Sequence, residues 1–168
     1  MQHDQLKTFL STMAAERLAL LSRHEAGARV VGHYDFNNTY QYVIAREETH
    51  LTWLQSALAE IGEPLPAASG AYDVPALAGD KRTAMVDAGR EVLGDDARRL
   101  GAFVAKWTSG VHDITHARHR KMLDVILGES VEHQRLFEQA AQGFEDVLGR
   151  RSEGVARVGG VLPTRWQE

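Results

Sequence analysis

The stretch Ala45-Arg46-Glu47-Glu48-Thr49-His50-Leu51-Thr52-Trp53-Leu54 lies in a segment whose apolar residues recur at helical spacing: Tyr40, Val43, Ile44, Leu51, Leu54, Leu58 and Ile61. Wound at ~3.6 residues per turn, Glu47 and His50 fall inside that apolar stripe, while Arg46, Glu48 and Thr52 fall outside it. A carboxylate and an imidazole on the buried face of a helix carry a desolvation cost that another group must offset.

Working outward, the preceding residues form a second helical pattern, with Leu6, Phe9, Leu10, Met13, Leu20 and Leu21 on one face and Asp4 as a candidate N-cap. Helix 1 is expected over 5–31 and helix 2 over 36–61, with Gly62 placed to close helix 2. Each is ~40 Å long. Residues 62–79 hold three of the four prolines and read as a connection. Antiparallel helix pairs need only about 2 to 8 residues. This link could extend ~60 Å, enough to run the length of the helices as a crossover.

Asp80 can cap a third helix with the stripe Met85, Leu93, Leu100, Phe103, Val104 and Trp107, expected to break at Thr108-Ser109-Gly110. Helix 4 is expected from about Asp113 through Met122, Ile126, Leu136, Phe137 and Phe144 to Leu148, bending at Gly128 or Gly143. Residues 149–168, ending in Val161-Leu162-Pro163-Thr164-Arg165-Trp166, read as a tail. The fold class is all-α: a domain over 1–148 made of two antiparallel hairpins joined by one long crossover.

The bulk properties narrow the function. A net charge of -4 gives no reason to expect nucleic acid or an anionic membrane as partner. The chain has no cysteine, which excludes disulfides, thiolate metal sites and thiol nucleophiles. No apolar run approaches the ~20 residues of a membrane span, and no signal peptide is visible in Met1-Gln2-His3-Asp4. A cytoplasmic protein is the expectation. A homodimer is expected too, because two-fold pairing is the commonest assembly.

Helix 4 answers helix 2. Glu129 and His133 are expected to project into its stripe, so each hairpin places an acid and a histidine on a core face. His50 lies as far beyond a turn centred near residue 33 as Glu16 lies before it, which sets Glu16 opposite Glu47 and His50. In the second hairpin, with its turn near residue 110, Asp96 lies between Leu93 and Leu100 and is preferred as the helix 3 acid; Glu91 is the substitute. The expected metal set is Glu16, Glu47, His50, Asp96, Glu129 and His133, able to hold two divalent ions. Oxygen and nitrogen donors without sulfur suit iron or manganese, with zinc also open.

Four long helices, a crossover after helix 2 and Glu47-x-x-His50 resemble the ferritin-like carboxylate-bridged di-metal proteins, the rubrerythrin branch more than true ferritins. The resemblance covers about residues 5–148. It implies a di-iron or similar centre that binds O2 or peroxide and oxidises Fe(II) or reduces peroxide. Without a rubredoxin module, an external electron donor would be needed. The second half departs from the pattern: Ser130 stands three residues before His133, so the acid must come from Glu129, and helix 3 offers an aspartate. Tyr40, on the Glu47 stripe, is a candidate for a supporting hydrogen bond. His112, His116 and His119 share one face of early helix 4 and could build a mononuclear site of the DinB type; a polar helix end is the plainer reading. His24 reads as a boundary histidine. A metal-free dimerisation or partner-binding bundle, with its buried polar residues tied into hydrogen-bonded networks, is the alternative function.

Overall fold

The computed structural model describes residues 2–70 and 82–149, and the side chains within them except those of 82–85. The second half of the link and nearly all of the expected tail, including Trp166, lie outside the described residues, as does the side chain of Met85. The described residues form four helices: α1 (His3–Val30), α2 (Tyr34–Glu60), α3 (Arg82–His112) and α4 (Ala117–Ala141). No strand occurs among the described residues.

The helices stand at the corners of a square. α1 packs on α2 and α3, α4 packs on α2 and α3's far side closes the hairpin with α4, while the diagonal pairs α1/α4 and α2/α3 do not meet along their backbones. Neighbours run antiparallel. Phe9 meets Trp107 edge-on at 4.9 Å while Arg23 reaches Asp96, so α1 ascends as α3 descends. His50 meets Glu129 while Glu60 meets His119, which fixes α2 against α4 in the same sense. α2 therefore ends at the opposite end of the bundle from where α3 begins. The described half of the link climbs along α1: Lys7 holds Glu63 at 2.9 Å, and Ser69 N–H donates to the Ala15 carbonyl.

Chain punctuation follows residue chemistry. Gly62, at φ +77°, closes α2: its N–H donates to Ala59 O and that of Glu63 to Leu58 O. Gly143, at φ +92°, ends α4 in the same way through Ala140 and Gln139, so α4 stops short of the expected Leu148. At the other end of that hairpin, α3 passes through Thr108-Ser109-Gly110 without a break and continues to His112. Two contacts support the continuation. Thr108 Oγ1 bonds the Val104 carbonyl within the helix, and Gly110 admits the Phe9 ring against its backbone.

That extra turn moves the second hairpin's register. Gly101 packs on Gln134 and Gly94 on Ala141, so Asp96 lies level with Gln139, about ten residues and ~15 Å from Glu129. The expectation that Asp96 joins Glu129 in one metal set is thereby corrected. The first hairpin keeps the expected register, with Arg17 opposite Glu47 and Gly27 beneath Tyr40.

The Gly27 contact is tight. A Cβ added there would stand 2.8 Å from the Tyr40 ring and its hydroxyl. Helix propensity alone predicts that Gly27→Ala gains about 1 kcal/mol. Overpacking reverses the sign, and we expect a net loss of roughly 1–2 kcal/mol in denaturant unfolding. A variant more stable than the parent would contradict the packing described.

Candidate functional site

The core of the bundle is apolar except for a column of charged and polar side chains. Arg17, Arg23, His24, Thr39, Glu47, His50, Asp96, Ser130 and His133 are all essentially sealed from solvent. They fall into two layers, separated along α1 by the six residues from Arg17 to Arg23, or ~9 Å.

The first layer centres on Glu47. Arg17 Nη1 donates to Glu47 Oε1 at 2.8 Å, and Arg17 Nη2 donates to Ser130 Oγ at 2.5 Å. The second oxygen of Glu47 meets His24 Nδ1 at 2.8 Å. The Arg17 guanidinium lies 4.2 Å over the Phe103 ring, so α3 contributes an aromatic face to this layer. Burial, the largest influence, pushes the Glu47 carboxyl up, but His24 and Arg17 together outweigh it and bring it to about 2. Burial draws the Arg17 guanidinium below its ordinary value against the pull of Glu47; a guanidinium in such a pair keeps its proton.

The second layer centres on Asp96. Arg23 Nε donates to its Oδ1 at 2.7 Å and Tyr40 Oη to its Oδ2 at 2.5 Å, while Arg23 also reaches Asp95. Burial, then Asp96, raises the Tyr40 hydroxyl well above the ordinary phenol value, so it remains a proton donor.

Toward the α2/α4 edge, His50 Nε2 lies 2.9 Å from Glu129 Oε2, and the His50 and His133 rings stack with centroids 6.0 Å apart. Arg46 grips Glu129 with two donors, at 2.9 and 2.7 Å, and its guanidinium lies 5.9 Å over Trp53. Nδ1 of both His50 and His133 is buried without a partner. Burial, followed by Arg17, lowers the His50 imidazole to about 4; burial, aided by His50 and Arg17 and opposed by Glu47, lowers His133 to about 4. Both rings are neutral at pH 7.

The expected residues are thus distributed unevenly. Glu47, His50 and His133 share the first layer, Asp96 is buried in the second, and Tyr40 supports Asp96. Glu16 does not face Glu47: its carboxylate turns to α3, where it accepts from Trp107 Nε1 and Lys106 Nζ, both at 2.9 Å. Glu129 is half-buried at the edge, and Glu91 is exposed. On α1 and on α4 alike, the side chain that enters the centre is the one directly after the expected acid, Arg17 after Glu16 and Ser130 after Glu129. Each shift is one residue, ~100° around a helix. The signal for Arg17 was present, since Met13, Arg17, Leu20 and His24 follow the i, i+4, i+7, i+11 spacing of a buried stripe. His24 is fully buried on Glu47 rather than at a boundary. His116 caps α4 by accepting from His119 N–H, and His119 meets Glu60 at 3.1 Å, a polar helix end.

No protein-family model and no curated protein matches the sequence. Solved structures do share the fold. One is a ferritin-like, diiron-carboxylate protein from Bacillus anthracis str. Ames, with a TM-score of 0.53 and 12% identity over 84% of this chain and 99% of that one. The bundle described here has the ferritin-like fold.

A carboxylate-bridged di-metal centre does not fit the arrangement. Both oxygens of Glu47 and both of Asp96 are already engaged by groups of the chain itself. Two guanidiniums balance these two carboxylates, so two further divalent ions would leave a large uncompensated positive charge. Among the described residues, no group of three or more His, Asp or Glu side chains is set to hold a metal ion.

The depressed values predict a pH dependence in two steps. Because His50 and His133 titrate near 4 in the fold and near 6.5 when unfolded, the unfolded chain takes up protons first. Stability is full above about pH 6.5 and falls as pH drops toward 4, by at most roughly 3 kcal/mol per ring. The Glu47 contribution is lost lower, between about 4.5 and 2. Thermal unfolding followed from pH 7 to 3 should show both steps, and His133→Gln should reduce only the upper one, to roughly half, because His50 still titrates there. A flat profile between pH 7 and 4 would contradict the buried neutral imidazoles.

Proposed function

We propose that this ferritin-like bundle is a non-redox association module: the centre is closed by the chain's own ion pairs, and the working surface is the outer α2/α4 face. The observation that carries the reading is the Arg17 guanidinium between Glu47 and Ser130, which fills the position from which oxygen chemistry would be run. The surface supports the second half of it. Among the described residues, the exposed large apolar side chains fall on α2 (Tyr34, Tyr42), on α4 (Val125, Val131) and just after it (Phe144). A groove of about 550 Å³ runs between α2 and α4, with Trp53, Ala57, Met122 and Val125 along it and Glu60, Arg118 and Lys121 among the residues that line it. A second copy of the chain is the simplest partner, because a two-fold axis would set this groove against its own copy.

A di-metal oxidoreductase that oxidises Fe(II) or reduces peroxide with an external electron donor is the second reading. Glu47-x-x-His50 favours it, as does the diiron-carboxylate character in the name of the Bacillus anthracis protein. Two measurements on one preparation separate the readings. Light scattering should give the mass of two 18.6 kDa chains, and Val125→Glu should reduce it to one. Fe(II) added in air should leave the near-ultraviolet spectrum without an oxo-ferric band. A monomer at tens of micromolar contradicts the association reading, and an oxo-ferric band supports the oxidoreductase.

A further inference from the structure

The solvent side of α4 carries an ordered row of residues. Lys121, Asp124, Gly128, Val131, Arg135 and Glu138 follow one another at spacings of 3, 4, 3, 4 and 3, and all six are exposed. The mean interval, about 3.5 residues, is that of the seam along which two helices pair. Gly128 stands in the middle of it. Among the described residues, a Cβ added there would meet nothing within 4 Å. Glycine in the interior of an exposed helix weakens the helix, and the packing of this bundle does not require it.

The row is complementary to its own reverse. Two copies of α4 laid antiparallel, with Gly128 opposite Val131, set Asp124 opposite Arg135 and Lys121 opposite Glu138. A two-fold axis makes each of these pairings twice. Every charge then meets its opposite, and the valine meets the one position without a side chain, a knob over a hole. The parallel arrangement stacks lysine on lysine, aspartate on aspartate, arginine on arginine and glutamate on glutamate. Contacts within the chain leave the seam available. Arg135 holds Glu132 through Nε and Nη2, and Glu138 accepts from Gln134 through Oε1, so Arg135 Nη1 and Glu138 Oε2 stay outside those contacts. The seam also adjoins the α2/α4 groove, since Lys121 belongs to both and Val125, next to Asp124, lines the groove.

We infer that a second copy of the chain docks along this row, α4 against α4 and antiparallel, with the partner's Val131 seated over Gly128. The inference rests on the association reading and names the helix, the direction and the register that association uses. Exposed ion pairs each contribute little affinity; here they select direction and register, and the close approach at Gly128 supplies the packing.

Sedimentation equilibrium of the full chain tests this. Asp124→Arg and Arg135→Asp each set like charges against one another twice, and each should weaken the dimer at least about 10-fold. The double variant restores opposite charges in exchanged positions and should return to within about 3-fold of the parent. Lys121→Glu and Glu138→Lys repeat the test at the ends of the row. Gly128→Gln should act in two opposed directions. At dilutions where the chain is monomeric it should melt roughly 2–4 °C higher, because a helix former replaces glycine in open space. At higher concentration its dimer should be weaker, because the seat of the partner's Val131 is filled. Misfolding cannot produce that combination.

A parent that is monomeric at tens of micromolar overturns the association reading and this inference with it. A dimer that Val125→Glu splits but the single charge reversals leave intact overturns the α4 seam and leaves the association reading standing. A dimer that the single reversals weaken and the double variant does not restore overturns the antiparallel register.

Discussion

A carboxylate sealed in the middle of a helical bundle must be neutralised, and the structure depends on how Glu47 is. Three routes exist: a proton, a metal ion or a cation of the chain. The proton route would raise the carboxyl, yet Glu47 sits near 2, so its partners outweigh its burial. The partners are Arg17 and His24, one on each carboxylate oxygen. Taking one partner from such a buried pair typically costs about 3–5 kcal/mol, a large part of the stability of a domain of this size. The pair is better understood as a specification than as a source of net stability, since apolar residues of the same volume could often replace both.

What the ion pairs specify is the helix arrangement. α1 supplies Arg17, Arg23 and His24, and the other helices supply their acceptors: Glu47 on α2, Asp96 on α3 and Ser130 on α4. One helix thus addresses all three neighbours, including α4 across the diagonal. A slip of α1 by one residue would turn these side chains by ~100° and strand two buried carboxylates. Apolar stripes alone tolerate such slips far better, because one leucine substitutes for another at small cost. Tyr40, seated over Gly27 and bonded to Asp96, locks the α1/α2 hairpin against α3 in the same way.

Much of this was legible in the sequence. The helical stripes, the Pro-rich crossover and the inward position of Glu47 and His50 follow from periodicity, and the bundle is ferritin-like. The first hairpin's register followed from its short turn. The second did not, because Thr108-Ser109-Gly110 reads as a breaker while the Phe9 contact that lets the helix continue is remote in sequence. Glu16 and Glu129 were read one residue away from Arg17 and Ser130 because arginine is usually assigned to solvent and an acid beside a histidine suggests a ligand. Burial of an arginine is settled by its partner, and Glu47 lies thirty positions away. The sequence pattern marks Arg17 as inward; only the fold shows what it meets there.

The most direct measurement is an anomalous-difference map from crystals grown with excess iron(II), recorded at the iron edge. The account predicts guanidinium density joining Glu47 to Ser130 and no anomalous peak between the helices. A peak within about 2.0–2.3 Å of the Glu47 carboxylate, with Arg17 displaced from it, would contradict the account.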